Sequence, residues 1–136
     1  MSVYNPYQQY KQTQISTASQ GSLILMLYDA ALRNLRIAIE SVNHKKGNDA
    51  HNALLRAQDI VSELNIALNM EAGDIAQNLR KLYTYMYTRL VEANVKKDAR
   101  IIEEVLGLMS GLQEAWAGII RKQKSIPVQG GYDGGI

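Results

Sequence analysis

AHNALLRAQDIVSELNIAL, residues 50–68, is the stretch on which the fold of this chain turns. Ala50, Leu54, Ala57, Val61, Leu64 and Leu68 recur in steps of four and three, which places them on one face of an α-helix. A mean step near 3.5 is the seam period of helices packed at about +20°. Working outward, the same spacing appears in three more segments. Upstream it runs through Ile24, Leu27, Ala31, Leu35, Ala38 and Val42. Downstream it runs through Ile75, Leu79, Leu82, Met86, Leu90 and Ala93, then through Ile102, Val105, Met109, Leu112, Trp116 and Ile119. No segment alternates at period two for long enough to make a strand.

The breaks between segments have physical causes. Thr17 or Ser19 can cap the first helix by accepting from unpaired backbone N–H groups. Gly47 reads as its end, with Asn48 or Asp49 opening the second. Asn69 through Asp74 separates the second helix from the third, and Asn94 through Asp98, with Asp98 as cap, separates the third from the fourth. Such short connections fold each helix back against its neighbour. The sequence therefore predicts an all-α, antiparallel up-down four-helix bundle over residues 17–124. A polar N-terminal arm, residues 1–16, precedes it; Tyr4, Tyr7 and Tyr10 would share a face if the arm is helical. The glycine-rich residues 125–136 read as a disordered tail.

At 136 residues, one domain can bury a real core. Cysteine is absent, which removes disulfides, thiolate metal sites and thiol nucleophiles. The N-terminus lacks the layout of a secretory signal, and the longest apolar run, Leu23 to Leu27, is far too short to span a bilayer. The formal charge is only +2, and its basic clusters fall near helix ends, so no nucleic-acid surface is expected. Eight tyrosines and one tryptophan, with no phenylalanine, make an aromatic set suited to half-buried grooves.

A catalytic centre is not legible. Carboxylate-bridged di-iron bundles need inward-facing Glu and Glu-x-x-His sets, whereas the interior positions here are Leu, Ile, Val, Ala and Met. The two histidines, His44 and His51, flank the Gly47 turn and have no evident third metal ligand. Glu103 and Glu104 are adjacent on a helix and diverge, as solvated residues do. No metal, no cofactor and no enzymatic activity are expected. What remains is apolar surface: Ile60, Ile66, Tyr83, Tyr87, Ile101 and Leu108 widen the stripes beyond the seams. These residues either fill a globular core or line grooves for an amphipathic partner. Trp116, on the fourth seam, reads as core.

Several segments, in order, resemble the flagellar secretion chaperones that bind flagellin, the FliS family. They are Tyr7-Gln8-Gln9-Tyr10-Lys11, Thr17-Ala18-Ser19 with Leu23 through Asp29, Ala57 through Leu64, Ile75 through Leu79 with Leu82-Tyr83, and Glu114-Ala115-Trp116. Gln20 stands where the family often has proline, Ala30 replaces a common glycine, and Gly73-Asp74 shortens a more glycine-rich turn. None of these departures removes the apolar or aromatic features that binding would use.

The resemblance implies a cytoplasmic chaperone for the disordered C-terminal segment of flagellin. It would block premature polymerisation and present its cargo to the flagellar type III export apparatus, with a component of the export gate as a second partner. Joined to the apolar spacing, the resemblance puts the cargo groove around the second and third helices. Its walls would be Leu54, Ile60, Leu64 and Leu68, with Leu79 and Tyr83 facing them. Gln58, Glu63 and Asn78 would bond cargo backbone or bridge helices, and Tyr7, Tyr10 and Ile15 would form an arm that gates the cleft or contacts the export machinery. A weak homodimer of the free protein stays open. The competing reading is a self-associating helical adaptor, which the seam period also fits.

Overall fold

The computed structural model describes residues 20–125. The arm with Tyr7, Tyr10 and Ile15, the caps Thr17 and Ser19, and the tail beyond Ser125 lie outside the described residues. Four helices follow one another: α1 (Gln20–Asn43), α2 (Gly47–Ile66), α3 (Asp74–Lys96) and α4 (Ala99–Ser125), with a 3₁₀ turn, Met70–Ala72, between α2 and α3. Each helix packs on its sequence neighbours, and α4 closes the ring against α1; α1–α2 is the most extensive seam and α3–α4 the least. The α2–α3 register shows the antiparallel sense. Asn65 pairs with Arg80 at one end and His51 with Asn94 at the other, so fourteen residues up one helix match fourteen down its neighbour.

The seam residues make the core. Ala31, Leu35, Leu54, Ala57, Met86, Leu90, Ile102, Val105 and Met109 are sealed from solvent. Alanines at seam positions let the α1 and α2 backbones approach while the larger residues interdigitate. The third and fourth seams lose cover at one end, where Ile75 and Ile119 are exposed.

Gly47 does not end α1. Lys45 takes the left-handed conformation (φ 57°), Lys46 N–H donates to Ser41 C=O at 2.7 Å, and Lys45 N–H donates to Val42 C=O at 3.0 Å. That pair of bonds is a Schellman cap, and Gly47 instead opens α2. Neither Asn48 nor Asp49 is the N-cap: Lys46 holds that place without a side-chain bond, and Asp49 sits in the first turn, where its charge suits the helix dipole. Asp98 does cap α4. Its Oδ1 accepts from Arg100 N–H at 2.9 Å, and that backbone donor holds its carboxyl below the usual carboxylate range.

The longer α2–α3 connection needs two devices. Asn69 Oδ1 accepts from Glu71 N–H at 3.0 Å, and Gly73 adopts φ 75°, ψ −132°. A side chain at Gly73 would be strained although its surroundings are open. Gly73→Ala is therefore expected to cost about 1–3 kcal/mol in urea unfolding; an unchanged midpoint would show that the turn relaxes freely.

Candidate functional site

At the end of the bundle where α2 gives way to α3 the helices leave an apolar cleft of about 70 Å³. Leu64 of α2 and Ala67 and Leu68 just beyond its end form one wall, Asn69 and Ala72 the turn, and Ile75, Ala76, Leu79 and Tyr83 the α3 wall. Ile24 of α1 and Trp116 of α4 complete it. Small residues, Ala67 and Ala72 at the connection and Ala76 in the first turn of α3, leave room in its lining. Ile75 in its wall is 70% exposed, and Ile66 and Met70, next in sequence to the lining residues Ala67 and Asn69, are exposed too, Ile66 by 71%. Apolar surface this close to a concave site marks a place where a partner's apolar groups can be buried.

A polar cluster lies at the inner wall. Tyr28 and Tyr83 come from α1 and α3, helices on opposite corners of the ring, yet their hydroxyls stand 2.6 Å apart. Trp116 Nε1–H donates to the Tyr28 hydroxyl oxygen at 3.1 Å. Burial raises the pKa of both tyrosines above the ordinary phenol value, because a phenolate would be poorly solvated there. Asp29, next to Tyr28, accepts from Gln113 Nε2–H on α4 and helps hold α4 in register.

The structure gathers some of the expected groove residues and separates others. Leu64, Leu68, Leu79 and Tyr83 all line the cleft, although Leu64 and Tyr83 are themselves almost fully buried. Ile60 is half-buried against the core, outside the cleft. Leu54 is 0% exposed and offers no surface to a partner, because α2 presents it to the centre of the bundle. Asn78 is exposed and Glu63 half-exposed; neither lines the cleft. Trp116 is more than core, since it packs on the buried cluster and also forms cleft wall. Ile24, Ala67, Ala72, Ile75 and Ala76 join the site without having been expected there. The pairing of an exposed apolar seam residue, Ile75, with a run of alanines was the available signal.

Gln58 is 6% exposed, and its Oε1 is buried without a hydrogen-bond partner. A buried acceptor left unpaired costs about 1–3 kcal/mol. Gln58→Met, which keeps the length and removes the acceptor, is expected to raise stability by about 1 kcal/mol in urea unfolding; a loss would mean that Gln58 is satisfied in solution.

Elsewhere the polar groups are structural. Glu104 accepts from Tyr85 Oη–H at 2.6 Å and from Arg89 Nε–H at 2.8 Å, tying α3 to α4 at the surface. His44 contacts Glu40 C=O, and His51 contacts Asn94. Among the described residues no cluster of His, Cys, Asp or Glu could hold a metal ion, and no helix is long and apolar enough to cross a membrane.

The model of the family described as flagellar protein FliS matches residues 3–123. The flagellar secretion chaperone FliS of Bacillus subtilis is 35% identical over 124 residues, covering 91% of this chain and 92% of that protein. Its namesake from Salmonella typhimurium is 40% identical over 113 residues, covering 79% and 82%. Among solved structures, one titled as a flagellar chaperone from bacteria superposes with a TM-score of 0.73 at 21% identity, over 85% of this chain and 95% of that one, which supports the shared fold. These matches, over nearly the whole chain and with the same helical fold, place the chain in the FliS family of flagellar proteins, a chaperone family and not an enzymatic one.

Proposed function

We propose that this chain is a cytoplasmic export chaperone that captures the disordered C-terminal segment of flagellin in the cleft between α2 and α3. The observation that carries this reading is the unsealed apolar cleft whose own wall residue Ile75 stands exposed. A free protein gains nothing from such surface in water, whereas a partner that buries it gains about 25 cal/mol for each Å² covered. A disordered cargo loses chain entropy on binding, so its contacts must extend beyond a cleft of this size. The exposed Leu55 on α2 and Tyr87 and Val91 on α3 provide apolar surface for that extension. Glu63 and Asn78 are polar positions along the same two helices that can meet cargo backbone, whereas Gln58 is buried and offers it nothing.

Residues Tyr7, Tyr10 and Ile15 belong in this reading to an arm that gates the cleft and yields to cargo. The chain enters α1 at Gln20, one turn before the cleft residue Ile24, so an arm there is tethered close to its seat. Held this way, flagellin could not polymerise before it reached the export apparatus, a component of whose gate would be the second partner.

The test is co-expression with flagellin from the same organism, followed by co-purification with full-length flagellin and with flagellin lacking its last few dozen residues. Retention of the first and loss of the second is the expected result. Equal retention of both would remove the C-terminal segment from the account.

A further inference from the structure

Three hydrogen-bond donors meet two oxygens at the inner wall of the cleft. Trp116 donates from Nε1 to the Tyr28 oxygen, and the Tyr28 and Tyr83 hydroxyls are bonded to each other. The indole and each hydroxyl bring one hydrogen apiece. Two bonds use two of the three, so one hydroxyl hydrogen has no acceptor within the cluster.

Position decides which one it is. Were Tyr83 to donate to Tyr28, the spare hydrogen would sit on Tyr28, a side chain with no exposure at all. Orphaning a donor in such a place is costly. When Tyr28 donates to Tyr83, the spare hydrogen is on Tyr83, which is itself only 2% exposed but, unlike Tyr28, lines the cleft. The indole bond favours the same direction, because accepting from Trp116 polarises the Tyr28 hydroxyl and makes it a better donor. Raised pKa values keep both hydroxyls protonated throughout the neutral range.

We propose that the Tyr83 hydroxyl is the polar anchor of the cleft, donating its spare hydrogen to a main-chain carbonyl oxygen of the bound cargo segment. An extended peptide brings a carbonyl with every residue, and each one buried in an apolar cleft needs a donor. Leu64, Leu68 and Leu79 can grip a side chain but cannot supply one. Tyr83 thus distinguishes a peptide from a merely greasy ligand, and it fixes the register in which the segment lies. Tyr28 and Trp116 are positioning residues that aim it. This inference rests on the cleft being the cargo seat.

The experiment is titration calorimetry of the full chain with a synthetic peptide of flagellin's C-terminal segment. Wild type and Tyr83→Phe are compared, using the natural peptide and a series in which single amides are replaced by esters, whose carbonyls are weaker acceptors. Tyr83→Phe is expected to weaken binding about tenfold. One ester position should weaken binding to wild type and have little further effect on Tyr83→Phe, a coupling that a structural role alone would not produce. Equal affinity of the two proteins for the natural peptide, or identical ester losses on both at every position, overturns the proposal while leaving the chaperone reading intact. Failure of wild type to bind the peptide overturns both. Should Tyr83→Phe not fold, the ester series on wild type decides: one dominant position supports the anchor, and a flat series overturns it.

Discussion

A carboxylate at Leu68 or Leu79 is expected to abolish capture of the flagellin segment while leaving the bundle folded. Both side chains are half-buried in the cleft wall. In the free protein a carboxylate there can turn toward the cleft mouth and stay hydrated. Seating an apolar segment over it strips that water, and burying an unpaired charge costs several kcal/mol. Leu68→Asp and Leu79→Asp should therefore each weaken binding by about a hundredfold or more, with the helical circular dichroism of wild type retained. Folded variants that bind as wild type does would discard the cleft as the cargo seat.

Leu54→Ala is expected to do the reverse. Leu54 is among the largest fully buried side chains, within the cluster that includes Leu35, Met86 and Ile102. Truncating a leucine in such a place removes transfer free energy and leaves a cavity, for a loss of about 2–5 kcal/mol. A domain of this size has only about 5–15 kcal/mol to lose, so the urea midpoint should fall steeply. Affinity for cargo, measured where the variant is still folded, should change little because Leu54 reaches no surface. A large affinity loss without a stability loss would mean that α2 turns Leu54 toward the surface.

The contrast between these two variants marks where sequence reading succeeds and where it stops. Periodicity identified the four helices and most of the core, since Leu35, Ala57, Met86 and Ile102 lie on the expected seams and are buried. It also placed Leu54 and Leu68 on one stripe, and there the two part company. A stripe shows which face is apolar, but not how far the neighbouring helices wrap around it or where along the bundle they separate. Leu54 meets full packing in mid-helix, whereas Leu68 lies beyond the end of α2, where the turn holds the helices apart. Ile75 and Ile119 follow the seam spacing and are exposed for the same reason: they stand near the end of the bundle that opens.

Local chemistry was misread where a residue of low propensity took an unusual conformation. Gly47 was the natural choice to end α1, yet Lys45 carries the left-handed turn because two good backbone bonds offset the strain. The Tyr28–Tyr83–Trp116 cluster was beyond sequence reasoning altogether. Tyr28 and Tyr83 are 55 residues apart on helices that do not pack against each other, and only long side chains crossing the bundle bring their hydroxyls together. The abundance of tyrosine over phenylalanine was a hint that some rings would carry a buried hydroxyl, but not which ones.

Amide hydrogen exchange on the full chain, with and without the flagellin C-terminal segment, tests the central claim most directly. Cargo is expected to slow exchange most strongly at residues 64–79, across the end of α2, the Met70–Ala72 turn and the start of α3. Slowing confined to the far end of the bundle, around Lys45 and Lys97, with residues 64–79 unchanged, would contradict it.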